Sequence, residues 1–302
     1  MKLGIIDRIR SLSTSILASL ELEAGEFGLR AIPKGIWKER HLRYCREHEI
    51  HELHFNHAKG YMSDGRYDFF SDMKDLEGVK FVDPMFVNLS PLYGLMGVRS
   101  IDLSFVGKVR KGVDFNLFSR LERLKILSRV PAMDSVFQCK GLRQLALSHY
   151  PGVLESALFA NLEHIENLFL SAVKLSDVDG LSHLVGLQSL TISGARDLSS
   201  LEGISSAHDL RRLELEYCPN IKSLSVLASA KNLEELWLLD CGDIDSLSYL
   251  EGCLTLKKIN ILGNTTIVDG KLDVLQRLPN LEVVCVVSRG HYIPSAISIE
   301  RG

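Results

Sequence analysis

Leu210-Arg-Arg-Leu213-Glu-Leu215-Glu-Tyr-Cys218 is followed 23 residues later by Leu233-Glu-Glu-Leu236-Trp-Leu238-Leu-Asp-Cys241, and 23 later again by Leu256-Lys-Lys-Ile259-Asn-Ile261-Leu-Gly-Asn264. All three are copies of one pattern, L-x-x-L-x-L-x-x-N/C. The last two apolar positions stand two apart, the spacing that puts both side chains on one face of a strand. So short a strand cannot bury that face alone, so copies must stack in parallel and share one interior. With the third apolar position as marker, the spacing returns at Phe55, Phe81, Leu103, Ile126, Leu147, Leu170, Ile192, Leu215, Leu238, Ile261 and Val286. Most intervals are 21 to 23 residues, and the first and last, 26 and 25, suit atypical terminal repeats.

A second rhythm follows the strands. Leu175-Val178-Leu181-Leu184, Leu198-Leu201-Ile204, Ile221-Leu224-Leu227 and Ile244-Leu247-Leu250 are spaced by three, which matches a short 3₁₀ or single-turn helix. Each repeat therefore reads strand, turn, short helix. The N/C position, held by Cys218, Cys241 and Asn264, supplies a small polar group to the turn backbone, and the two cysteines read as buried ladder residues.

Residues 1–50 depart from the unit and form an N-terminal cap. Ile5, Ile9, Leu12, Ile16 and Leu20 fall at helical spacing, Trp37, Leu42 and Cys45 suggest a second helix after Pro33, and Phe27 to Ala31 between them reads as an extra strand against the first repeat. Residues 51–287 hold the repeats, about eleven strands, and residues 288–302 are a C-terminal tail. The expectation is one structural domain.

Composition narrows the function. A formal charge of −3 on 302 residues lacks the clustered basic surplus that phosphate contacts require, so nucleic acid is not an expected partner. Apolar runs are too short for a membrane span, and Asp7, Arg8 and Arg10 interrupt the stretch a secretory signal would need. Six scattered cysteines without a CxxC pair fit free thiols in a reducing compartment. The expected location is the cytoplasm.

The 22–23-residue unit, with segments such as Asp197-Leu-Ser-Ser-Leu-Glu-Gly-Ile204 and Ile244-Asp-Ser-Leu-Ser-Tyr-Leu250, resembles internalin-type and phosphatase-regulator-type leucine-rich repeats from about Ile50 to Val287. The layout, with its irregular start and Arg289-Gly-His-Tyr292 close, is also similar to bacterial repeat proteins encoded beside polymorphic toxins as immunity proteins. It departs from secreted internalins in lacking a signal segment, and from repeat-bearing ubiquitin ligases in lacking a non-repeat catalytic domain. The resemblance implies an α/β leucine-rich-repeat solenoid with a concave parallel sheet, short 3₁₀ or α helices on the convex side, and a helical N-terminal cap. It implies a monomer that binds a secreted toxin domain with a basic surface and neutralises it by occlusion. The alternative it leaves open is an intracellular scaffold or regulatory subunit for an endogenous enzyme such as a phosphatase.

Residues flanking each inward leucine point out of the sheet. The middle outward column runs His54, Lys80, Asp102, Lys125, Ala146, Phe169, Thr191, Glu214, Trp237, Asn260, Cys285, and the next runs Asn56, Val82, Ser104, Leu127, Ser148, Ser171, Ser193, Glu216, Leu239, Leu262, Val287. Large apolar residues stand out at Trp237, Leu239 and Leu262, ringed by Glu214, Glu216, Glu235 and Asp240 with Arg212 and Lys258 opposing. The candidate partner-binding set is Trp237, Leu239, Leu262, Glu214, Glu216, Tyr217, Glu235, Asp240, Asn260, Phe169 and Arg212. Two readings stay open: a contact surface, with the carboxylates steering a basic partner, or a strip covered by the tail through Tyr292 and Ile293 or by a second copy, with ordinary solvated carboxylates. Arg123, Lys125 and Lys80 make the N-terminal half more basic.

No catalytic, cofactor or metal residue is assigned. His51, His54 and His57 are spaced by three, but in this register they do not converge on one ion. Glu214 and Glu216 share a strand face without a water-excluding pocket to raise a pKa. Gly94, Gly97, Gly107 and Gly112 lack the setting of a phosphate loop. An enzyme built on the histidine-rich segment is the remote reading.

Overall fold

The computed structural model describes residues 19–295. The chain divides into two compact units, Met1–Leu142 and Arg143–Gly302.

In the first unit, β1 (Leu20–Ala24) and β2 (Leu29–Pro33) form an antiparallel hairpin. Helix α1 (Glu39–Glu47) follows and buries Leu42, Tyr44 and Cys45. Then come four parallel strands, β3 (Ile50–Asn56), β4 (Gly78–Asp83), β5 (Ser100–Val106) and β6 (Arg123–Ile126), each at a predicted marker. The extra strand expected near Phe27 to Ala31 is β2, which pairs in parallel with β3. The second capping helix is α1. The first expected helix lies outside the described residues except for Leu20, which instead begins β1 and is fully buried. Helical spacing there gives way to the alternation Leu20, Leu22, Ala24 that a hairpin uses.

Aromatic residues fill the interior of this unit. Phe55, Tyr67, Phe70, Phe81 and Phe86 are fully buried, and Phe55 stacks on Phe81 with centroids 5.4 Å apart. The buried Asp83 carboxylate accepts hydrogen bonds from the Tyr67 hydroxyl and the Met85 N–H, which compensates for its removal from water.

The second unit repeats its unit more regularly. Its strands are β7 (Gln144–Ser148), β8 (Asn167–Ser171), β9 (Ser189–Ser193), β10 (Arg212–Glu216), β11 (Glu235–Leu239), the two-residue β12 (Asp243–Ile244), β13 (Lys258–Leu262), the two-residue β14 (Thr266–Ile267) and β15 (Val283–Val286). The long strands pair in parallel in sequence order, and β12 pairs with β14. Inward residues Leu213, Leu215, Leu236, Leu238, Ile259 and Ile261 are at most 1% exposed, so each contributes on the order of 1.5–3 kcal/mol of burial. The apolar spacing of three produces the expected 3₁₀ turns, including Asp179–His183, Ser225–Ser229 and Ser248–Gly252. There Leu181 N–H donates to Val178 O, Leu184 to Leu181 and Leu187 to Leu184.

The residue after each of β7 to β11 and β13 turns the chain sharply. His149, Ala172, Tyr217 and Asp240 hold φ of 57°, 50°, 51° and 53°, with Gly194 at 72° and Gly263 at 62° in the equivalent place. Behind this turn lies a buried ladder. Cys218 Sγ contacts the carbonyls of Ile192 and Glu216 at 3.7 and 3.3 Å, and Cys241 Sγ contacts those of Leu215 and Leu239 at 3.2 and 3.5 Å. The next rung corrects the sequence reading: Asn264 is exposed, and Thr265, fully buried, accepts from Cys241 N–H and donates to Leu238 O. The turn after β13 thus passes the ladder position on by one residue, while β12 and β14 beyond it keep the 23-residue register.

Candidate functional site

The outward columns align as strand register requires. Glu214 on β10, Trp237 on β11, Asn260 on β13 and Cys285 on β15 are successive partners, as are Glu216, Leu239 and Leu262. Trp237 is half-buried, on the face opposite the interior leucines. Its indole is held from three sides. The Arg212 guanidinium lies 5.3 Å from the ring centroid and Lys258 Nζ 4.4 Å, while the indole N–H donates to Glu235 Oε2 at 3.1 Å. Arg212 also bonds Glu235 at 2.6 Å and Glu214 at 2.8 Å, and Thr191 reaches Glu214 at 3.4 Å.

These contacts do two things. Cation–π attraction and the N–H bond fix the ring's orientation, so less side-chain freedom is left to lose on docking. They also neutralise Glu214 and Glu235 locally, which leaves the negative excess to Glu216 and Asp240. Asp240 Oδ1 accepts the Asn264 N–H at 2.8 Å.

A second charge ladder runs along the strand starts, one residue earlier in each repeat. Glu234 bonds both Arg211 at 2.8 Å and Lys257 at 2.6 Å, and these two cations, Lys257 foremost, hold its carboxyl below the usual range. The dipeptides Arg-Arg, Glu-Glu and Lys-Lys thus form two parallel tiers across β10, β11 and β13.

Leu239 and Leu262 are half-buried side by side, and Tyr217 is 53% exposed at its left-handed turn. Two candidates fall outside this cluster. Asn260 occupies the predicted column but is only 4% exposed, with its amide nitrogen buried and unpartnered. Phe169 on β8 is three strands from Trp237, roughly 14 Å at ordinary strand spacing, with Thr191 and Glu214 between.

Sequence reasoning missed a groove of about 660 Å³ beside the strand ends. Lys174, Arg196 and Asp197 line it together with Tyr217 and Asp240. The sequence signal was the recurring turn position, whose left-handed backbone opens this edge.

The described tail takes its contacts elsewhere. Arg289 donates to Gly263 O, the Tyr292 hydroxyl accepts from Ile267 N–H, and Ile293 exchanges backbone bonds with Gly270 and Leu272. Tyr292 and Ile293 therefore sit on the turns after β13 and not on the Trp237 strip.

In the first unit, His54 lies in its predicted column but is 7% exposed, not facing open solvent. Burial foremost, with Lys80 and Arg30 nearby, pushes its pKa down to about 4. His51 faces Glu77 at 3.5 Å, and His57 opens a 3₁₀ turn. Register also shifts between β2 and β3 at Leu29/Arg30 and between β4 and β5, where Val82 pairs with Phe105 and not with Ser104.

No family model matches the sequence, nor does any curated protein. Among solved structures, the chain is similar to an internalin, InlF, of Listeria monocytogenes, at 16% identity and a TM-score of 0.62, over 80% of this chain and 68% of that one. It is also similar to internalin C2 of the same organism, at 21% identity and 0.52, over 65% and 83%. At these identities the likeness is one of fold: the protein has the leucine-rich-repeat fold, with a mostly parallel sheet and short helices. No helix among the described residues is long and apolar enough to cross a membrane.

Proposed function

We propose that this protein is a binding module that holds another protein against the outward sheet face of β10, β11 and β13, with Trp237 as the central anchor. The observation that carries this is the half-exposed indole gripped by Arg212, Lys258 and Glu235. An aromatic side chain fixed in advance, beside Leu239, Leu262 and Tyr217, is the kind of residue on which binding energy concentrates.

The finer reading is a cytoplasmic immunity protein that neutralises a cognate bacterial toxin by occlusion without a chemical step. Its support is the resemblance in layout to such proteins and the six free cysteines, five of them buried. Glu216 and Asp240 favour a partner that brings basic side chains. Calorimetry with the toxin domain encoded next to this gene tests it. Trp237→Ala is expected to weaken binding by about 2 kcal/mol or more, roughly 30-fold; unchanged affinity removes Trp237 from the site. A locus without a toxin gene, and an endogenous enzyme as the partner recovered, would instead favour the scaffold or regulatory subunit.

A further inference from the structure

Strand β5 carries an outward aromatic residue, Phe105, that ordinary alternation would turn inward. Ile101 and Leu103 are buried, so Phe105 should follow them into the core. Between Lys80 and Val82 on β4 there is one residue, Phe81, whereas between their partners Asp102 and Phe105 there are two. That extra residue is a bulge, and it flips the side chains beyond it to the opposite face. Phe105 emerges 55% exposed opposite Val82, while Val106 turns in to 6%.

The strand exit is packed to this shape: a Cβ on Gly107 would stand 2.0 Å from Pro84 O. On the other side of β5, Leu127, half-buried, directly follows Ile126, the partner of Leu103, and its N–H donates to Leu103 O at 3.3 Å beside the bulge. Val82, Phe105 and Leu127 therefore bring three apolar residues to the bulge from successive strands. In the column beside it stand Lys80, Asp102 and Lys125, paired strand to strand. Asp102 is already engaged by Ser104 and by Lys80 at 3.5 Å, so the charge left over is positive, at Lys125.

We propose that Phe105 anchors a second contact surface, in the first unit, for a protein segment that places an apolar side chain at Val82, Phe105 and Leu127 and a carboxylate at Lys125. This rests on the protein-binding reading and adds a surface of opposite charge preference to the one around Trp237. A single exposed apolar residue is ordinary, but a bulge that re-aims a phenylalanine beside two further apolar side chains and a spare cation is a specific arrangement.

The probe is a phage-displayed library of random dodecapeptides panned on the full chain. Enriched sequences are then synthesised and their affinities measured by fluorescence anisotropy. Peptides carrying an aliphatic or aromatic residue next to Asp or Glu are expected. Their affinity should fall about tenfold or more in Phe105→Ser, a loss of roughly 1.4 kcal/mol, fall in Lys125→Glu, and stay unchanged in Trp237→Ala. Circular dichroism and melting check that both first-unit variants fold, and Lys125→Glu carries the test if Phe105→Ser does not. Peptides indifferent to both variants, peptides rich in Lys or Arg, or no enrichment would each overturn the inference. Peptides lost only with Trp237→Ala would overturn it while leaving the protein-binding reading intact; that reading is decided separately by the calorimetry above.

Discussion

Ala172 and Gly194 occupy the same place in adjacent repeats, directly after β8 and β9, and both backbones are left-handed, at φ of 50° and 72°. An L-residue there is disfavoured by about 1–2 kcal/mol because Cβ crowds the following carbonyl. Glycine escapes that strain but gives up about 0.4–1 kcal/mol in the unfolded chain, where it has more freedom to lose. The balance predicts that Ala172→Gly stabilises the protein by roughly 0.5–1 kcal/mol. The reciprocal change, Gly194→Ala, should destabilise by a similar amount. A Cβ at Gly194 would meet nothing closer than 3.7 Å, so backbone conformation alone is being tested. Urea denaturation gives the measurement: with a slope of about 2–3 kcal/mol per molar, midpoints should move roughly 0.2–0.5 M in opposite directions at unchanged slope. If Ala172→Gly lowers the midpoint, or Gly194→Ala leaves it unmoved, the left-handed turn is not what sets these positions.

Native protein should titrate one thiol of six with a disulfide reagent at pH 8. Cys285 is exposed, whereas burial raises the other five, Cys45, Cys139 and Cys241 to about 12 and Cys253 to about 11; two or more fast thiols would contradict the ladder. His41 and His54 are held near 4 by burial, so the unfolded chain takes up their protons first. Stability should fall as pH drops below about 6.5 and finish falling near 4, and His41→Gln with His54→Gln should flatten the urea midpoint over that range; an unaltered slope would refute it. Tyr67→Phe removes a donor from the buried Asp83 carboxylate and should cost about 1–3 kcal/mol in urea unfolding, against little change if water replaced the hydroxyl. Glu234→Gln should weaken the protein slightly at low salt and not at about 1 M salt; a salt-independent loss would point to packing.

The repeat was legible because a leucine that must share an interior returns at a fixed interval, and even the pairing of Glu214 with Trp237 and Asn260 followed from that count. What escaped was whatever broke the count. Phe105 stayed hidden because a bulge has no signature beyond one unmatched residue. Thr265 took the ladder place of Asn264 while β12 and β14 kept the 23-residue register, so no change of spacing marked it. The hairpin at Leu20 was read as helix because Leu20 also continues the three-to-four-residue rhythm of Ile16 and Leu12. Within the candidate site, alternation gave the direction of each side chain but not its cover, so Asn260 and His54 were placed on the right face and proved inaccessible. The grip on Trp237 needed two cations from neighbouring strands, which a linear reading could name but not bring together.

The tiers Arg211-Arg212, Glu234-Glu235 and Lys257-Lys258 bear on how such an array can change its copy number. Excising the 23 residues from Leu233 would set arginines against lysines, and duplicating them would set glutamates against glutamates, so recombination here is penalised in either direction. At β9 the equivalent positions are the uncharged Gln188 and Ser189, whereas Glu166 before β8 is paired with Arg143. Gain or loss of whole repeats is therefore tolerated more readily at β9 than next to the tryptophan.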